Sequence, residues 1–310
     1  MPDRRCPRTQ YTMAEYYDPE TYPQQWNYLQ SGTIIDHYII ERELAHGGFS
    51  SVYLARQLED QVQVAIKEYL PRKLAHRTWN NVVVSNSEET LVMFRRGRAL
   101  FFEEAKVLAT LKHHNIVNVI NFFQANETVY MVMTYDYGIT LDKILQKKIL
   151  PMTETFLLKV FTLLLQGIEV IHSRQMVHLD IKPANILIRA EHDPLLLDFG
   201  AIRKFPNHPG SHRAKVLTNG FSPIEQYDSR ANLGPWSDIY AVGASMRACL
   251  DCSVPPNSVD RIKQNNLPLA VKAHKRHFPE YLLQAIDWAM EVYPENRPQS
   301  VAELQHALMH

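Results

Sequence analysis

Five polar side chains lie close together in the middle of the chain. His178, Asp180, Lys182 and Asn185 fall within VHLDIKPANILI, and Asp198 falls within LLLDFGAIR. Val177 precedes the first group and Ile186, Leu187 and Ile188 follow it, so the polar run reads as a short loop held between β-like segments. Asp198 opens a second turn. An Asp, a Lys, an Asn and a second Asp on rigid turns suit phosphoryl transfer. That reaction needs a carboxylate to orient a hydroxyl nucleophile, a cation on the moving phosphoryl group, and oxygen ligands for Mg²⁺. Simple loop stabilisation is the rival account of these residues, and their order and spacing weigh against it.

The run His-x-Asp-x-Lys-x-x-Asn, followed by Asp-Phe-Gly at Asp198, Phe199 and Gly200, resembles the catalytic loop and metal-binding turn of the protein kinases. The resemblance implies roles residue by residue. Asp180 would accept or orient the proton of the substrate hydroxyl. Lys182 would stand by the γ-phosphate of ATP. Asn185 and Asp198 would hold Mg²⁺. His178 and Phe199 would pack the two turns. Lys182, placed just after the catalytic Asp, resembles the serine/threonine branch. Leu179 stands where many family members carry Arg.

Other elements must carry these turns. DHYIIERELAHGGFSSVYLARQ reads as two strands around a turn and resembles the glycine-rich phosphate loop. Of that pattern's three glycines only the middle one, Gly47, is kept; Gly48 follows it, and Ala45 and Ser50 stand at the outer two positions. Glycine permits close backbone approach to phosphates, and Ala and Ser are its smallest replacements. In QVQVAIKEY, alternation puts Val62, Val64 and Ile66 on one face and Ala65 and Lys67 on the other. By resemblance, Val52 and Ala65 would sandwich adenine above Leu187, and Lys67 would pair the α- and β-phosphates. FFEEAKVLATLKHHNIV has a helical period. Glu104 matches the family's partner of that lysine, with Glu103 as the rival. Between the two lies a long link from Leu70 to Arg98, with a strand candidate at Val82–Val84 and a polar SNSEET. It resembles an insert carried by bacterial serine/threonine kinases.

Further on, YMVMTYDYG resembles the hinge strand. Met133 would back the adenine pocket, and the backbones of Thr134 and Asp136 would hydrogen-bond the base. Lys204 to Val216 has surface-loop composition. LTNGFSPIEQY resembles the end of the activation segment, with Thr218 bracing Asp180 and Lys182. WSDIYAVGASM resembles the central helix of the larger lobe, with Asp238 holding the catalytic loop. Arg297 would pair with Glu225.

The composition agrees. The 310 residues are 45% hydrophobic, enough for two lobes sharing a cleft. Lys+Arg and Asp+Glu are both 33, so the formal net charge of 0 gives no pointer to nucleic acid or an acidic membrane surface. Cys6, Cys249 and Cys252 are an odd set without a second CxxC, which suits neither a disulfide framework nor a four-ligand metal site; packing at a helix end is expected of the CxxC. The most apolar run, Phe156–Ile171, is broken by Lys159, Gln166 and Glu169 and reads as a buried helix, not a membrane span. The basic start lacks a following apolar stretch, so a signal peptide is not expected and a reducing cytoplasm is. Tyr11, Tyr16, Tyr17, Tyr22, Trp26 and Tyr28 make the N-terminal segment either a disordered tail or one docked on the body.

The resulting expectation is an α+β, bilobal protein-kinase-like fold with a small β-rich N-lobe and a larger, mainly helical C-lobe. Residues 1–32 would form an aromatic-rich extension, 33–134 the N-lobe and 135–310 the C-lobe. The expected function is a non-RD serine/threonine protein kinase using ATP and Mg²⁺ on protein hydroxyls. The N-terminal segment and the 70–98 insert leave room for a regulatory partner. The alternatives are a pseudokinase that binds without turnover and a small-molecule phosphotransferase of the same fold.

Overall fold

The computed structural model describes residues 28–206 and 216–309. Tyr11, Tyr16, Tyr17, Tyr22 and Trp26, and the loop residues Ser211, Arg213 and Lys215, lie outside the described residues. The smaller lobe is an antiparallel sheet in the order β1-β2-β3-β4-β8-β7. Its strands are β1 (Ile34–Ile35), β2 (Tyr38–His46), β3 (Ser50–Gln57), β4 (Gln63–Tyr69), β7 (Val119–Ala125) and β8 (Thr128–Thr134). Alternation separates two apolar faces. Val64 and Ile66 of β4 pack on one side with Tyr38, Ile40, Tyr53, Tyr130 and Val132. The other side receives helix α1 (Glu88–Thr110). Val62 precedes β4 and is exposed, so it does not extend the Val64–Ile66 face.

The long link differs from its sequence reading. It folds as a hairpin, β5 (Ala75–Arg77) with β6 (Val83–Ser85), one residue later than the Val82–Val84 candidate. The polar SNSEET then starts a helix. Ser87 is the N-cap: its Oγ accepts the Thr90 N–H at 3.3 Å, and Thr90 Oγ1 accepts the Ser87 N–H at 3.1 Å. This reciprocal pair satisfies two of the amides that a helix start leaves without partners. The helix whose period is legible in FFEEAKVLATLKHHNIV, from Phe101, therefore starts earlier, at Glu88, and runs 23 residues without a break.

The larger lobe is built on α3 (Glu154–Ser173) and α4 (Pro235–Asp251), with α2 (Leu141–Lys147), α5 (Ser258–Lys263), α6 (Ala270–His274), α7 (Glu280–Ala289) and α8 (Val301–Ala307) around them. Short strands β9 (Ile139–Thr140), β10 (Met176–Val177), β11 (Ile186–Ile188), β12 (Pro194–Leu196) and β13 (Arg203–Lys204) carry the turns of the cleft. Among the described residues α3 is the one helix long and apolar enough to cross a membrane. Its Leu157, Val160, Phe161, Leu164, Leu165 and Ile168 are buried in the lobe's core instead. Cys249 is buried near the end of α4, and exposed Cys252 caps that helix in a left-handed conformation.

A buried ion pair ties the end of the chain to this core. Arg297 meets Glu225 through Nη1–Oε1 at 2.8 Å and Nη2–Oε2 at 3.2 Å. Arg297 also donates to the carbonyls of Glu291 and Val292, and Ser237 donates to Glu225. Removing one partner strands the other without water, so Arg297→Ala should cost roughly 3–5 kcal/mol in urea denaturation. Arg297→Met combined with Glu225→Leu should recover much of that loss. A cost under about 1 kcal/mol for the single variant would show that Glu225 is solvated after all.

Candidate active site

The register of the sheet brings the N-lobe residues to one face. Ala45 lies opposite Val52, Val52 opposite Lys67, Lys67 opposite Met131, and Ala65 opposite Met133. Directly opposed residues in antiparallel strands point to the same side, so Ala45, Val52, Ala65, Lys67 and Met133 share the face that looks onto the cleft. Gly47 and Gly48 form the turn between β2 and β3, where Gly47 N–H donates to the Ser50 carbonyl at 2.8 Å. Neither glycine takes a left-handed backbone. A side chain at Gly48 would meet nothing within 4 Å, so glycine there keeps the approach open and is not required by the turn.

The catalytic loop hangs from a single carboxylate. Asp238, fully buried in the first turn of α4, accepts the backbone N–H of His178 and of Leu179, both at 2.8 Å, and lies 2.8 Å from His172 Nε2. Leu179 takes a left-handed backbone, φ 65°. A non-glycine residue adopts that conformation only where its surroundings enforce it, and the two N–H bonds do so. The turn then presents Asp180. Lys182 Nζ lies 2.9 and 2.8 Å from its two carboxylate oxygens, and Thr218 Oγ1 donates to Oδ1 at 2.7 Å. Lys182 also donates to Thr218 Oγ1 at 3.2 Å. Asn185 donates from Nδ2 to the Asp180 carbonyl and to Oδ2, at 2.8 and 2.9 Å.

Asp198 follows β12 on a second left-handed residue, φ 53°. Its Oδ1 lies 2.6 Å from Lys67 Nζ, and Glu104 Oε1 lies 3.8 Å from the same nitrogen. Glu104 is buried, whereas Glu103 is exposed and paired with Lys106 at 2.7 Å. The charge of Lys67 holds the Asp198 carboxyl down at about 2. Burial opposes the charge on Lys67, but Asp198 and Glu104 more than offset it and keep its pKa above the ordinary lysine value. The donor set fits Mg²⁺. Asp198 is ionised at neutral pH and its side chain is half exposed, and Asn185 commits its amide nitrogen to Asp180, which leaves its oxygen as the ligating atom. Among the described residues no three His, Cys, Asp or Glu side chains form a metal cluster.

At the hinge, the Thr134 N–H is taken by the Asn118 carbonyl at 3.0 Å, so a bond from Thr134 to a base would be accepted by its carbonyl. Leu187 lies at the centre of β11, opposite Thr140 and Leu195. Asp136 is held by Arg189 at 3.0 Å, and Arg189 also reaches Asp193 at 2.6 Å and the His114 carbonyl at 2.9 Å.

The protein kinase domain model matches residues 38–309. The chain belongs to the protein kinase family. Relatives of this kinase include serine/threonine-protein kinase D of Synechocystis, 29% identical over 287 residues, covering 89% of this chain and 52% of that one. Human serine/threonine-protein kinase TAO2 is 26% identical over 282 residues, covering 86% of this chain and 20% of that one. The chain thus spans about half the length, or less, of these curated relatives. The solved apo form of PpkA-294 superposes with a TM-score of 0.82 at 30% identity, over 91% of this chain and 99% of that one. The α+β, bilobal kinase fold and the bacterial type follow from these matches.

Two features of this kinase's site, Arg189 and Glu68, escaped the sequence reading, and Tyr28 was read only as part of a segment either docked or disordered. Arg189, the residue after β11, braces the hinge through Asp136. Glu68 is fully buried beside Lys67, bonded by Tyr53 at 2.9 Å, by Tyr130 at 2.7 Å and by Arg77 of the hairpin. Tyr28 stacks near His46 of the phosphate loop, with ring centroids 5.5 Å apart, and lies under Arg72, 4.8 Å from its ring centroid. A charged residue on the otherwise apolar Val64–Ile66 face was the available signal for Glu68.

His178 gives a pH test. It is fully buried, packs edge-on against Phe199 at 4.6 Å, and accepts the Asp180 N–H at Nδ1, 3.3 Å away, a bond only the neutral nitrogen can accept. Burial pushes its pKa below the ordinary value, and the carboxylates of Asp238, Asp180 and Asp198 only partly offset this. The unfolded chain therefore binds a proton near pH 6.5 that the folded chain does not. The stabilisation is complete above that value and declines as pH falls through it, by at most about 1.4 kcal/mol per unit. Between pH 7.5 and 5.5, urea denaturation should show the wild type losing more stability than His178→Phe. Equal losses would mean that His178 is protonated in the fold.

Proposed function

We propose that this domain is an active serine/threonine kinase of the non-RD type, moving the γ-phosphoryl group of ATP to hydroxyls of protein substrates. The observation that carries this reading is the convergence on Asp180. Lys182, Thr218 and Asn185 all meet its carboxylate within 3 Å, while Lys67 and Asp198 meet on the opposite wall. In this reading Asp180, fixed in orientation by Thr218 and Asn185, takes the proton of the acceptor hydroxyl. Lys182 swings from Asp180 to the phosphoryl oxygens. Lys67 binds the α- and β-phosphates under the cover of Ala45, Gly47 and Gly48. Val52, Ala65, Met133 and Leu187 enclose adenine, and the backbones of Thr134 and Asp136 hold its edge. Asn185 and Asp198 hold Mg²⁺, which supplies charge neutralisation on the phosphates. None of Lys67, Glu104, Asp180, Lys182, Asn185 and Asp198 is replaced, so nothing favours the binding-only alternative. The PIEQ turn and the Arg297–Glu225 pair it carries support protein substrates over small molecules. The names of the relatives support Ser/Thr acceptors.

The first test is transfer of labelled phosphate from ATP to a generic protein substrate. Asp180→Asn and Asp198→Ala should each lower turnover by at least 100-fold with little change in melting temperature. Undiminished turnover in Asp198→Ala would reject its place as a metal ligand.

The non-RD reading has its own support. Where an Arg would meet a phosphorylated loop residue, Leu179 is buried with Val177 and Ala201, and Phe205, Val216 and Leu233 pack on that cluster. Apolar burial, unlike a phosphate–arginine pair, requires no modification to form. Phosphatase-treated protein carrying Ser211→Ala should keep its initial rate within about twofold of the untreated wild type. A tenfold loss in that variant and in the phosphatase-treated wild type, reversed in the wild type by rephosphorylating Ser211, would overturn the reading.

A further inference from the structure

Lys67 and Tyr69 are two residues apart on β4 and so face the same way, toward α1. Glu104 and Gly97 are seven residues apart on α1, two helical turns, and so share one face of that helix. The two pairs meet. Glu104 comes to Lys67 at 3.8 Å, and the Tyr69 ring comes to Gly97 so closely that a Cβ there would lie 1.9 Å from Tyr69 Oη and 2.8 Å from Cζ. Tyr69 cannot swing aside. It is buried between Phe94 and Phe101, with ring centroids 5.7 Å away on each side, and Thr128 Oγ1 bonds its carbonyl. Gly97 therefore sits in mid-helix, where glycine weakens a helix, because a Cβ there would collide with the hydroxyl tip of the Tyr69 ring.

The first turns of α1 belong to the 70–98 insertion, and the insertion is itself fixed. Arg77 pairs with buried Glu68. Thr90 Oγ1 and the Asn86 N–H bond the Leu74 carbonyl at 3.2 and 2.9 Å. Arg98 donates to the Glu127 carbonyl at 2.6 Å.

We propose that Tyr69 and Gly97 are positioning residues for the phosphate-binding lysine. Their contact sets the seat of α1 on β4, and through it the Lys67–Glu104 pair, so that the insertion holds this helix from within the chain. The proposal rests on the kinase reading. Wild-type turnover that Asp180→Asn abolishes is the control separating failure of that reading from failure of this one.

The test is initial-rate kinetics of the full chain with Gly97→Ala. Alanine favours an isolated helix, so propensity alone predicts no loss. The contact predicts at least a tenfold fall in kcat, with the KM for protein substrate unchanged and the folded fraction retained. Because the effect runs through Glu104, Glu104→Gln should cost several-fold less in the Gly97→Ala background than in the wild type. Gly97→Ala with Tyr69→Phe, which removes the atom 1.9 Å away, should regain part of the rate. Unchanged kcat in Gly97→Ala, or losses from Gly97→Ala and Glu104→Gln that multiply independently, would overturn the proposal. If Gly97→Ala does not fold, Tyr69→Leu withdraws the ring without adding a clash. It should also lower kcat with unchanged substrate KM, and an unchanged kcat there overturns the proposal as well.

Discussion

Much of the molecule follows from the need to keep one buried ammonium charged. Lys67 is almost wholly removed from water, where an unpaired charge would give up its proton. It keeps that proton because two carboxylates reach it from separate parts of the chain, Glu104 from α1 and Asp198 from the turn after β12. Neither is a neighbour in sequence. The N-lobe sheet, the helix laid on it and the larger lobe below must all be in place before the charge is compensated. The same arrangement makes Asp198 a strong acid, so its carboxylate is ready for a cation at neutral pH. Lys67 holds Asp198 by Oδ1, so Oδ2 is the oxygen a cation would reach without displacing the lysine. A cation arriving with phosphates would bring fresh negative charge for Lys67 to meet.

The opposite wall solves a different problem. Within the loop that carries Asp180 and Lys182, the Asn185 amide bonds the Asp180 carbonyl and carboxylate. The loop backbone is held from below by Asp238, which lies on a helix buried nearly all round. Two of the chain's left-handed residues, Leu179 and Asp198, lie at the site, one just before Asp180 and the other the metal-ligand candidate itself. Strain of this kind costs of order 1–3 kcal/mol per residue. A buried carboxylate accepting two N–H groups is strong enough to offset it at Leu179.

The legible and illegible parts of the fold divide along a physical line. Residues picked out by chemical type at fixed spacing are brought together by the fold: Asp180, Lys182, Asn185 and Asp198 on two turns, Lys67 in mid-strand, and Asp238 under the loop. The helical extent of the insertion was harder to read. SNSEET has the composition of a loop, and the same residues also spell a helix cap; only the apolar positions Phe94 and Phe101, which continue the stripe of Ala105 and Leu108 backward, tell the two apart. Contacts set by shape left no local signal. Gly97 in a helix and Tyr69 at a strand end are unremarkable separately, and their meaning lies in a distance between elements. Arg189 and Asp136, 53 positions apart, are coupled only once the hinge has closed the gap.

The phosphate loop shows why motif erosion and loss of function need not coincide. Two of its three glycines are replaced, by Ala45 and Ser50, which taken alone argues for a weakened cover. Here the tip is also closed from the side. The Leu70 N–H donates to the Phe49 carbonyl at 3.0 Å and the Arg72 N–H to the Gly48 carbonyl at 3.3 Å, so the chain leaving β4 runs bonded along the side of the turn. Tyr28, between His46 and Arg72, adds a side-chain contact on the same edge. A loop held in this way depends less on glycine's conformational freedom, because its shape is set by hydrogen bonds to the insertion. What remains for glycine is access, and Gly48, with nothing near its missing side chain, is where access is needed. The insertion that holds α1 also shapes the cover over the phosphates, so the long link between β4 and α1 supports both sides of Lys67.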